Sequence, residues 1–489
     1  MGLRLVVASR NQSILKMKDT TPLCVDLDGT LIHSDLLLES FLLLIKRNPL
    51  YLFCVPLWLL GGKAHLKRQI ASRVSLNGAA LPYTKPLVEW LRAQKAAGRS
   101  LWLVTASDER LVRAVADHTQ LFDGVMASDG ARNLAGRRKA EALVEKFGPK
   151  GFDYAGNHAV DLQVWPHARK AVVVNASASL VSAAEKLAPV AHVVPPRKGF
   201  GKAVLKALRV HQWAKNALIF VPLLAAHRIT DLPSLWQALL AFLAFSLCAS
   251  SVYLLNDMLD LEADRQHHSK CERPFAAGKL SLIFGLVATP LLLVAAGLIT
   301  SLLPLKFAGV LAAYYVATLA YSFGVKKLVM IDVLALAGLY TVRIVAGAAA
   351  CAIPLSFWLL LFSVFIFLSL AMVKRYAELF VMKQQGKLKA KGRGYQVEDI
   401  ALLQSLGAAS GYLSILVLAL YLNSPDVVRM YTHPKWVWGL VPVMLYWISR
   451  IWMETHRGRM HDDPLVYAMK DRMSLATGLV AGVLLFFAV

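Results

Sequence analysis

The sequence predicts two folding units: an N-terminal α/β domain with a helical cap, then an all-α membrane bundle of about nine transmembrane helices. Three observations predict this. The chain's 489 residues exceed the roughly 100–200 of a usual single domain. Its apolar share of 57% is above the roughly 45–50% of soluble domains. That share is also unevenly spread, with short apolar runs up to about residue 215 and long ones separated by short charged loops beyond it. Runs of about 20 apolar residues are what a bilayer core of about 30 Å asks of a helix.

The charge balance and cysteines narrow the class. A net charge of +23 suits a membrane protein whose cations set topology and attract anionic headgroups. No nucleic-acid fold signature accompanies it, so nucleic acid is not an expected partner. Cys24, Cys54, Cys248, Cys271 and Cys351 show no paired spacing and read as reduced thiols. The opening MGLRLVVASRNQSILKMKD is basic but has no signal-peptide core, which keeps the following domain on the cytoplasmic side.

After a tail (residues 1–20), the α/β domain covers 21–195. Residues 21–31, TPLCVDLDGTL, run from an apolar strand into two aspartates. Alternate residues of an extended segment face one way, so Asp26 and Asp28 share a site at the strand's end. Carboxylates that close either hold a cation or divide nucleophile and acid roles, and a simple turn would also account for the pair in isolation. A second strand, SLWLVTAS, ends at Thr105; GRRKAEALVEKFG supplies Lys139; FDYAGNHAVDLQVW ends a third strand at Gly156 and offers Asp161.

In this order the segments resemble the Rossmann-like haloacid-dehalogenase (HAD) phosphohydrolases over about residues 20–195. The resemblance implies Asp26 as phosphoryl-accepting nucleophile and Asp28 as general acid/base. It further implies Thr105 and Lys139 as phosphate ligands, and Asp161 helping Asp26 and Asp28 hold Mg²⁺. Asn157 departs from the aspartate common there, which lowers the expected metal affinity. The cap, about residues 35–85, contains an apolar run from Leu50 to Leu60 too short to span a bilayer. It reads as a buried cap core or as a surface that dips into the membrane to receive lipid.

Residues 196–213 form a basic linker suited to a headgroup-level helix, and 214–489 the transmembrane domain. Spans are expected near 215–228, 234–256, 281–303, 305–323, 328–350, 356–373, 403–422, 434–453 and 473–488. Loops after even-numbered spans carry most of the cations, including Lys374, Arg375, Lys383, Lys387, Lys389, Lys391 and Arg393, which places them in the cytoplasm.

The second span leads into NDMLDLEADRQHHSKCERPFAAG. Asn256, Asp260 and Asp264 recur every four residues, with Asp257 near their side, so one helix face would carry them. Such carboxylates repel unless a cation neutralises them, and Mg²⁺ prefers carboxylate and phosphate oxygens. A solvated acidic helix end is the plain alternative, but Arg265, Lys270 and Arg273 nearby suit a polyphosphate site.

This N-D-x-x-D-x-x-x-D-R pattern resembles the UbiA superfamily of intramembrane prenyltransferases over about residues 200–489. Within it, RVHQWAKNALIF, SSVYLLNDMLDLEADR, ERPFAAG, AYSFGVKKLVMID and KRYAEL are similar to the polyprenyl-phosphate phosphoribosyltransferases of decaprenyl-phosphate type. The resemblance implies a nine-helix bundle around a cavity open to lipid. Where prenyltransferases carry a second acidic motif, this chain has Lys374, Arg375 and only Glu378, which favours two phosphate-bearing substrates. Arg343, inside a span, is a site candidate or half of a structural salt bridge. Lys326 and Asp332 flank the start of that span, and Tyr321 ends the preceding one. Lys215 is a phosphate ligand or a snorkelling interfacial lysine.

The resulting expectation is a bifunctional enzyme of the inner (cytoplasmic) membrane. Its partners would be phosphoribosyl pyrophosphate, polyprenyl phosphate and the bilayer, with Asp257, Asp260 and Asp264 binding Mg²⁺. The HAD-like domain would remove the 5-phosphate, giving a lipid-linked ribose for cell-envelope glycans. The competing readings are alkylation of a quinone precursor, a lipid transporter with a regulatory domain, and a phosphatase-like domain degenerate in function. Homo-oligomerisation stays open.

Overall fold

The computed structural model describes residues 20–129, 132–197, 199–386, 394–424, 430–460 and 463–489. The expected N-terminal tail up to residue 19, and Lys387, Lys389, Lys391 and Arg393, lie outside them. The chain forms two compact units, Met1–Val204 with Asp257–Phe284, and Leu205–Asn256 with Gly285–Val489. The aspartate-rich segment thus groups with the N-terminal residues, which no composition boundary foretold.

The first unit holds a parallel sheet of β1 (Leu23–Val25), β2 (Leu101–Asp108), β3 (Gly124–Ser128), β4 (Asp153–Gly156), β5 (Ala171–Val174) and β6 (Val190–Val194). Its order is β3-β2-β1-β4-β5-β6. This doubly wound order reverses between β1 and β4, and ligands bind such sheets outside the carboxyl ends of the strands at that point. Strands such as AVVV are apolar without alternation because both faces are covered. Leu23 and Val25 face a core with Leu87 and Leu91 of α4 (Lys85–Ala96) and Val112 and Val115 of α5 (Glu109–Thr119). Cys24 faces the opposite core, with Leu143 of α6 (Arg137–Phe147) and Ala184 of α7 (Ala178–Glu185).

Between β1 and β2 the cap supplies α1 (Leu36–Arg47), α2 (Tyr51–Leu60) and α3 (Lys63–Ala71). The Asp35 carboxylate caps α1 by accepting from the Leu38 N–H, and Lys46 and Arg47 complement its C-terminal dipole. No residue of α2 is buried, so the reading of its apolar run as a cap core is not what the fold uses.

In the second unit the expected count of nine spans is corrected. Among the described residues six helices are long and apolar enough to cross a membrane: Leu232–Leu259, Leu282–Thr300, Leu305–Phe323, Ile331–Ala350, Phe357–Gln384 and Val397–Leu422. A seventh exists if Pro464–Lys470 and Arg472–Ala488, bent by 80°, act as one. The stretch near 215–228 folds instead as a 3₁₀ segment, Val210–Phe220, and a short helix, Val221–Ala225, restarted at Pro222. That near 434–453 begins as another 3₁₀ turn and leaves a helix of 17 residues, Leu440–His456. Hydropathy counts side chains and is blind to these breaks, whereas proline removes an N–H and forces a helix to begin afresh. The Ile331–Ala350 helix meets the 3₁₀ segment so closely that a Cβ at Gly347 would sit 1.9 Å from the Ile219 carbonyl oxygen, which excludes any larger residue there.

Candidate active sites

The first candidate site lies at the reversal point of the sheet. The Asp26 N–H donates to the Ala155 carbonyl at 2.9 Å, tying the end of β1 to β4. Lys139, in the first turn of α6, places Nζ 2.6 Å from Asp26 Oδ1 and 3.0 Å from the Tyr154 hydroxyl. Asp28 accepts from the Leu36 N–H at 2.8 Å, from Ser107 Oγ at 2.8 Å and from Thr105 Oγ1 at 3.4 Å. Thr105 does not end its strand as expected, since β2 runs on to Asp108. Asp26, Asp28, Thr105 and Lys139 are thus brought together. Ser107, Tyr154 and Thr30 join them without a sequence signal strong enough to single them out; Thr30 Oγ1 donates to Asn157 Oδ1 at 3.1 Å.

Burial sets the electrostatics. It pushes the Asp28 carboxyl up to about 7, aided by the charges of Asp35 and Asp26. Burial likewise pushes Asp26 up to about 6, against the opposing pull of Lys139. At neutral pH one carboxyl can therefore carry a proton while the other is ionised, the division that acid and nucleophile roles need.

Asp161, the third expected metal ligand, is buried in the loop after β4. Its Oδ1 accepts from the Tyr154 hydroxyl at 2.9 Å, and its Oδ2 from the Asn157 and His158 N–H groups, both at 2.9 Å. These bonds hold the loop after β4 and orient Tyr154 against Lys139.

The second candidate site is the aspartate-rich segment. The expected continuous face is not formed: the helix stops at Leu259, Asp260 sits in the break, and a short helix, Leu261–Gln266, follows. Asp257 and Asp264 converge, sharing Arg273 Nη1 at 3.1 and 2.7 Å. Asp260 turns elsewhere, to Lys46 Nζ of α1 at 2.7 Å. The Arg265 guanidinium makes a two-pronged pair with Glu39 of α1 at 2.7 and 2.8 Å. Lys270 lies in the 3₁₀ turn before Arg273, and its charge lowers the Asp264 carboxyl that burial raises. Asn256 closes the first of the two segments of the second unit.

The third candidate site is basic and lies within the membrane unit. Lys215 Nζ is 2.8 Å from Asp463 Oδ2, and Lys374 Nζ is 3.3 Å from the same atom. The Tyr340 hydroxyl donates to Asp463 at 2.9 Å. Arg343 lies beside them, its Nε donating to Asn216 Oδ1 at 2.8 Å and its guanidinium 5.5 Å from the Tyr340 ring centre. Its described hydrogen bonds go to neutral oxygens, so the salt-bridge reading is not the arrangement found. Asp463, Tyr340 and Asn216 were not singled out from sequence; an aspartate ahead of a proline reads as a helix start. Arg375 departs from its expected role: it is 1% exposed and its three nitrogens bind Asp332, Glu378 and Tyr321 at 2.6, 2.7 and 2.9 Å, which pins three helices. Lys326 occupies the turn Val325–Lys327.

Among the described residues, no three His, Cys, Asp or Glu side chains converge as a metal cluster. Oxygen-seeking Mg²⁺ nevertheless fits two donor sets, the buried Asp26 with the Asn157 amide oxygen, and the buried pair Asp257 and Asp264. Mg²⁺ commonly takes only one or two protein carboxylates and completes its shell with substrate phosphate and water.

Comparison with known proteins bears on the membrane unit most directly. Residues 217–476 match the UbiA prenyltransferase family. An uncharacterized protein of Sinorhizobium fredii is 38% identical over 98% of this chain and 94% of its own length. The nodulation protein NoeC of Azorhizobium caulinodans is 36% identical over 57% of this chain and 91% of its own. The decaprenyl-phosphate phosphoribosyltransferase of Mycolicibacterium smegmatis is 36% identical over 44% of this chain and 69% of its own. With more than half its length matched, and membrane-crossing helices to carry that match, this chain belongs to the UbiA prenyltransferase family.

Proposed function

We propose that this chain transfers the 5-phosphoribosyl group of phosphoribosyl pyrophosphate to a polyprenyl phosphate, and that its N-terminal domain then removes the 5-phosphate. The observation that carries the first step is the basic centre of Lys215 and Lys374 on Asp463, which suits an anionic acceptor better than an aromatic one. The similarity to a decaprenyl-phosphate phosphoribosyltransferase supports the same choice.

In the transfer, an acceptor phosphate oxygen bonds to the anomeric carbon while the bond to diphosphate breaks, and the diphosphate leaves with the electron pair. The acceptor is already an anion, so no strong base is required. Lys215 and Lys374 suit an anionic acceptor, and Arg273 and Lys270 carry the kind of positive charge that compensates a departing diphosphate. Mg²⁺ held by Asp257 and Asp264 would supply further neutralisation of the diphosphate.

In the second step, Asp26 attacks phosphorus and Asp28 gives its proton to the departing 5-oxygen. Water then cleaves the aspartyl phosphate, with Asp28 taking the proton back. Lys139 and Thr105 hold the phosphoryl oxygens. The products are polyprenyl-phosphoryl-ribose and inorganic phosphate. The parallel sheet, the position of Asp26 at its reversal point and the raised carboxyls support this assignment.

The test is an assay with Mg²⁺, polyprenyl phosphate and ribose-labelled phosphoribosyl pyrophosphate. Label should enter lipid with the wild type and not with Asp264→Asn, and Asp26→Asn should accumulate only the phosphorylated lipid. No labelled lipid under any condition would overturn the reading and turn attention to prenyl diphosphates.

A further inference from the structure

The cap carries a surface that neither reaction explains. Every residue of α2, YLFCVPLWLL, is uncharged, and none is buried. Leu52, Phe53, Leu57, Leu59 and Leu60, with Leu50 just before them, are large apolar side chains turned outward; Phe53 is 76% and Leu60 86% exposed. Single exposed leucines are ordinary, but a contiguous apolar helix on a polar domain marks an interaction surface.

One occupant fits this surface, the lipid bilayer. The same chain has six helices fit to cross a membrane, so a bilayer is always at hand. Ten residues of helix reach about 15 Å, roughly half a hydrocarbon core, so α2 can enter the surface and cannot span it. Cations flank it along the chain, Arg47 before and Lys63, Arg68 and Arg73 after, as suits a segment beside anionic headgroups. Tyr51 and Trp58, paired at 5.8 Å, pack against the core of the domain and leave Leu52, Phe53, Leu57, Leu59 and Leu60 on the outward side.

We infer that α2 is an in-plane membrane anchor that seats the cap in the bilayer surface, so that the Asp26 site takes a phosphate monoester borne by a lipid. Both ends of the insert reach that site. The Leu36 N–H at the start of α1 donates to Asp28, and Lys67 of α3 donates to the Ala106 carbonyl of β2 at 2.6 Å, between Thr105 and Ser107. The anchoring stands independently of the proposed reactions; only the identity of the lipid rests on them.

The experiment uses the full chain in phosphatidylcholine vesicles containing some phosphatidylglycerol. An environment-sensitive fluorophore is placed at Phe53→Cys, with Cys54 and Cys271 replaced by serine, and as a control at Glu145→Cys on the exposed face of α6. Acyl-chain quenchers should quench the label at 53 and spare that at 145, and aqueous iodide should do the reverse. A Phe53→Glu/Leu57→Glu variant should hydrolyse p-nitrophenyl phosphate like the wild type, while its hydrolysis of bilayer-borne polyprenyl-phosphoryl-5-phosphoribose falls by about tenfold or more. Equal quenching of both labels by iodide would overturn the anchor. So would shielding of the label at 53 that acyl-chain quenchers do not reach and that disappears on dilution, which would mean a second copy covers α2. If the wild type hydrolyses neither phosphate ester, the phosphatase reading fails and the quenching result still decides the anchor.

Discussion

Burial, and after it the charges of Asp35 and Asp26, set how Asp28 titrates. Burial is the main cause of its rise to about 7, and the Asp35 charge comes next. In the proposed phosphatase step Asp28 must be protonated to donate, so phosphoryl transfer to Asp26 should slow as pH rises through about 7. Asp35→Asn keeps the side-chain oxygen that caps α1 but removes the charge. The alkaline limb of the pH–rate profile for p-nitrophenyl phosphate should therefore move down by about half a unit. An unmoved limb would mean that Asp28 is not the group titrating. Asp463 offers a second residue-scale test, because it is the shared counter-charge of Lys215 and Lys374. Asp463→Asn leaves two cations close together with their carboxylate gone, and breaking a buried pair typically costs about 3–5 kcal/mol. Thermal unfolding in detergent should drop, and added polyprenyl phosphate should restore more of it than in the wild type. Restoration no greater than in the wild type would show that these lysines do not receive the acceptor. Asp26, Asp28, Thr105 and Lys139 were legible as a site because the order of their segments along the chain resembles a known family; the local reading alone placed Thr105 at a strand end, whereas β2 runs on to Asp108. Asp463 was not, since its partner Tyr340 is 123 residues away and no local pattern links them.

At the scale of elements, α1 does more than cover the sheet. Glu39 and Lys46 on this helix bind Arg265 and Asp260, which lie 226 and 214 residues further along the chain. The Glu39–Arg265 pair is almost fully buried, so removing one partner leaves an uncompensated charge. Glu39→Gln should loosen the aspartate-rich segment and lower phosphoribosyl transfer, although Glu39 belongs to the phosphatase-like cap. The Glu39→Arg/Arg265→Glu exchange should recover a substantial part of the activity, and hydrogen exchange of residues 257–284 should follow the same order. Exchange unchanged in Glu39→Gln would show that the pair does not hold the segment. Sequence periodicity missed this arrangement for a physical reason. A four-residue repeat of carboxylates gives one face only if the helix continues, and here it breaks at Asp260, sending that side chain to Lys46 instead of to Asp257 and Asp264. The same limit inflated the span count, because an apolar stretch that turns at Pro222 has the composition of a span without its hydrogen bonds.

For the whole molecule, the question is what one chain would gain by carrying both of the proposed chemistries. The proposed intermediate is a long-chain lipid, and a hydrophobic tail keeps it in the bilayer where it forms. A soluble phosphatase would have to find it there, whereas a fused domain meets it at a local concentration set by the linkage. This argument predicts the behaviour of two half-dead proteins. Under the proposed reactions Asp26→Asn should retain transfer and Asp264→Asn should retain phosphatase, so together they would contain every group the sequence of reactions needs. Reconstituted in the same vesicles, they should yield polyprenyl-phosphoryl-ribose after a lag during which the phosphorylated lipid accumulates, a lag the wild type lacks. Reconstituted in separate vesicles and then mixed, they should yield almost none, because the intermediate cannot leave its bilayer. The readout is thin-layer separation of the labelled lipids over time. Product without a lag in the mixed bilayer would show that fusion confers no kinetic advantage, and product across separate vesicles would show that the intermediate travels through water. Either result would leave each active site intact and would remove only the coupling between them.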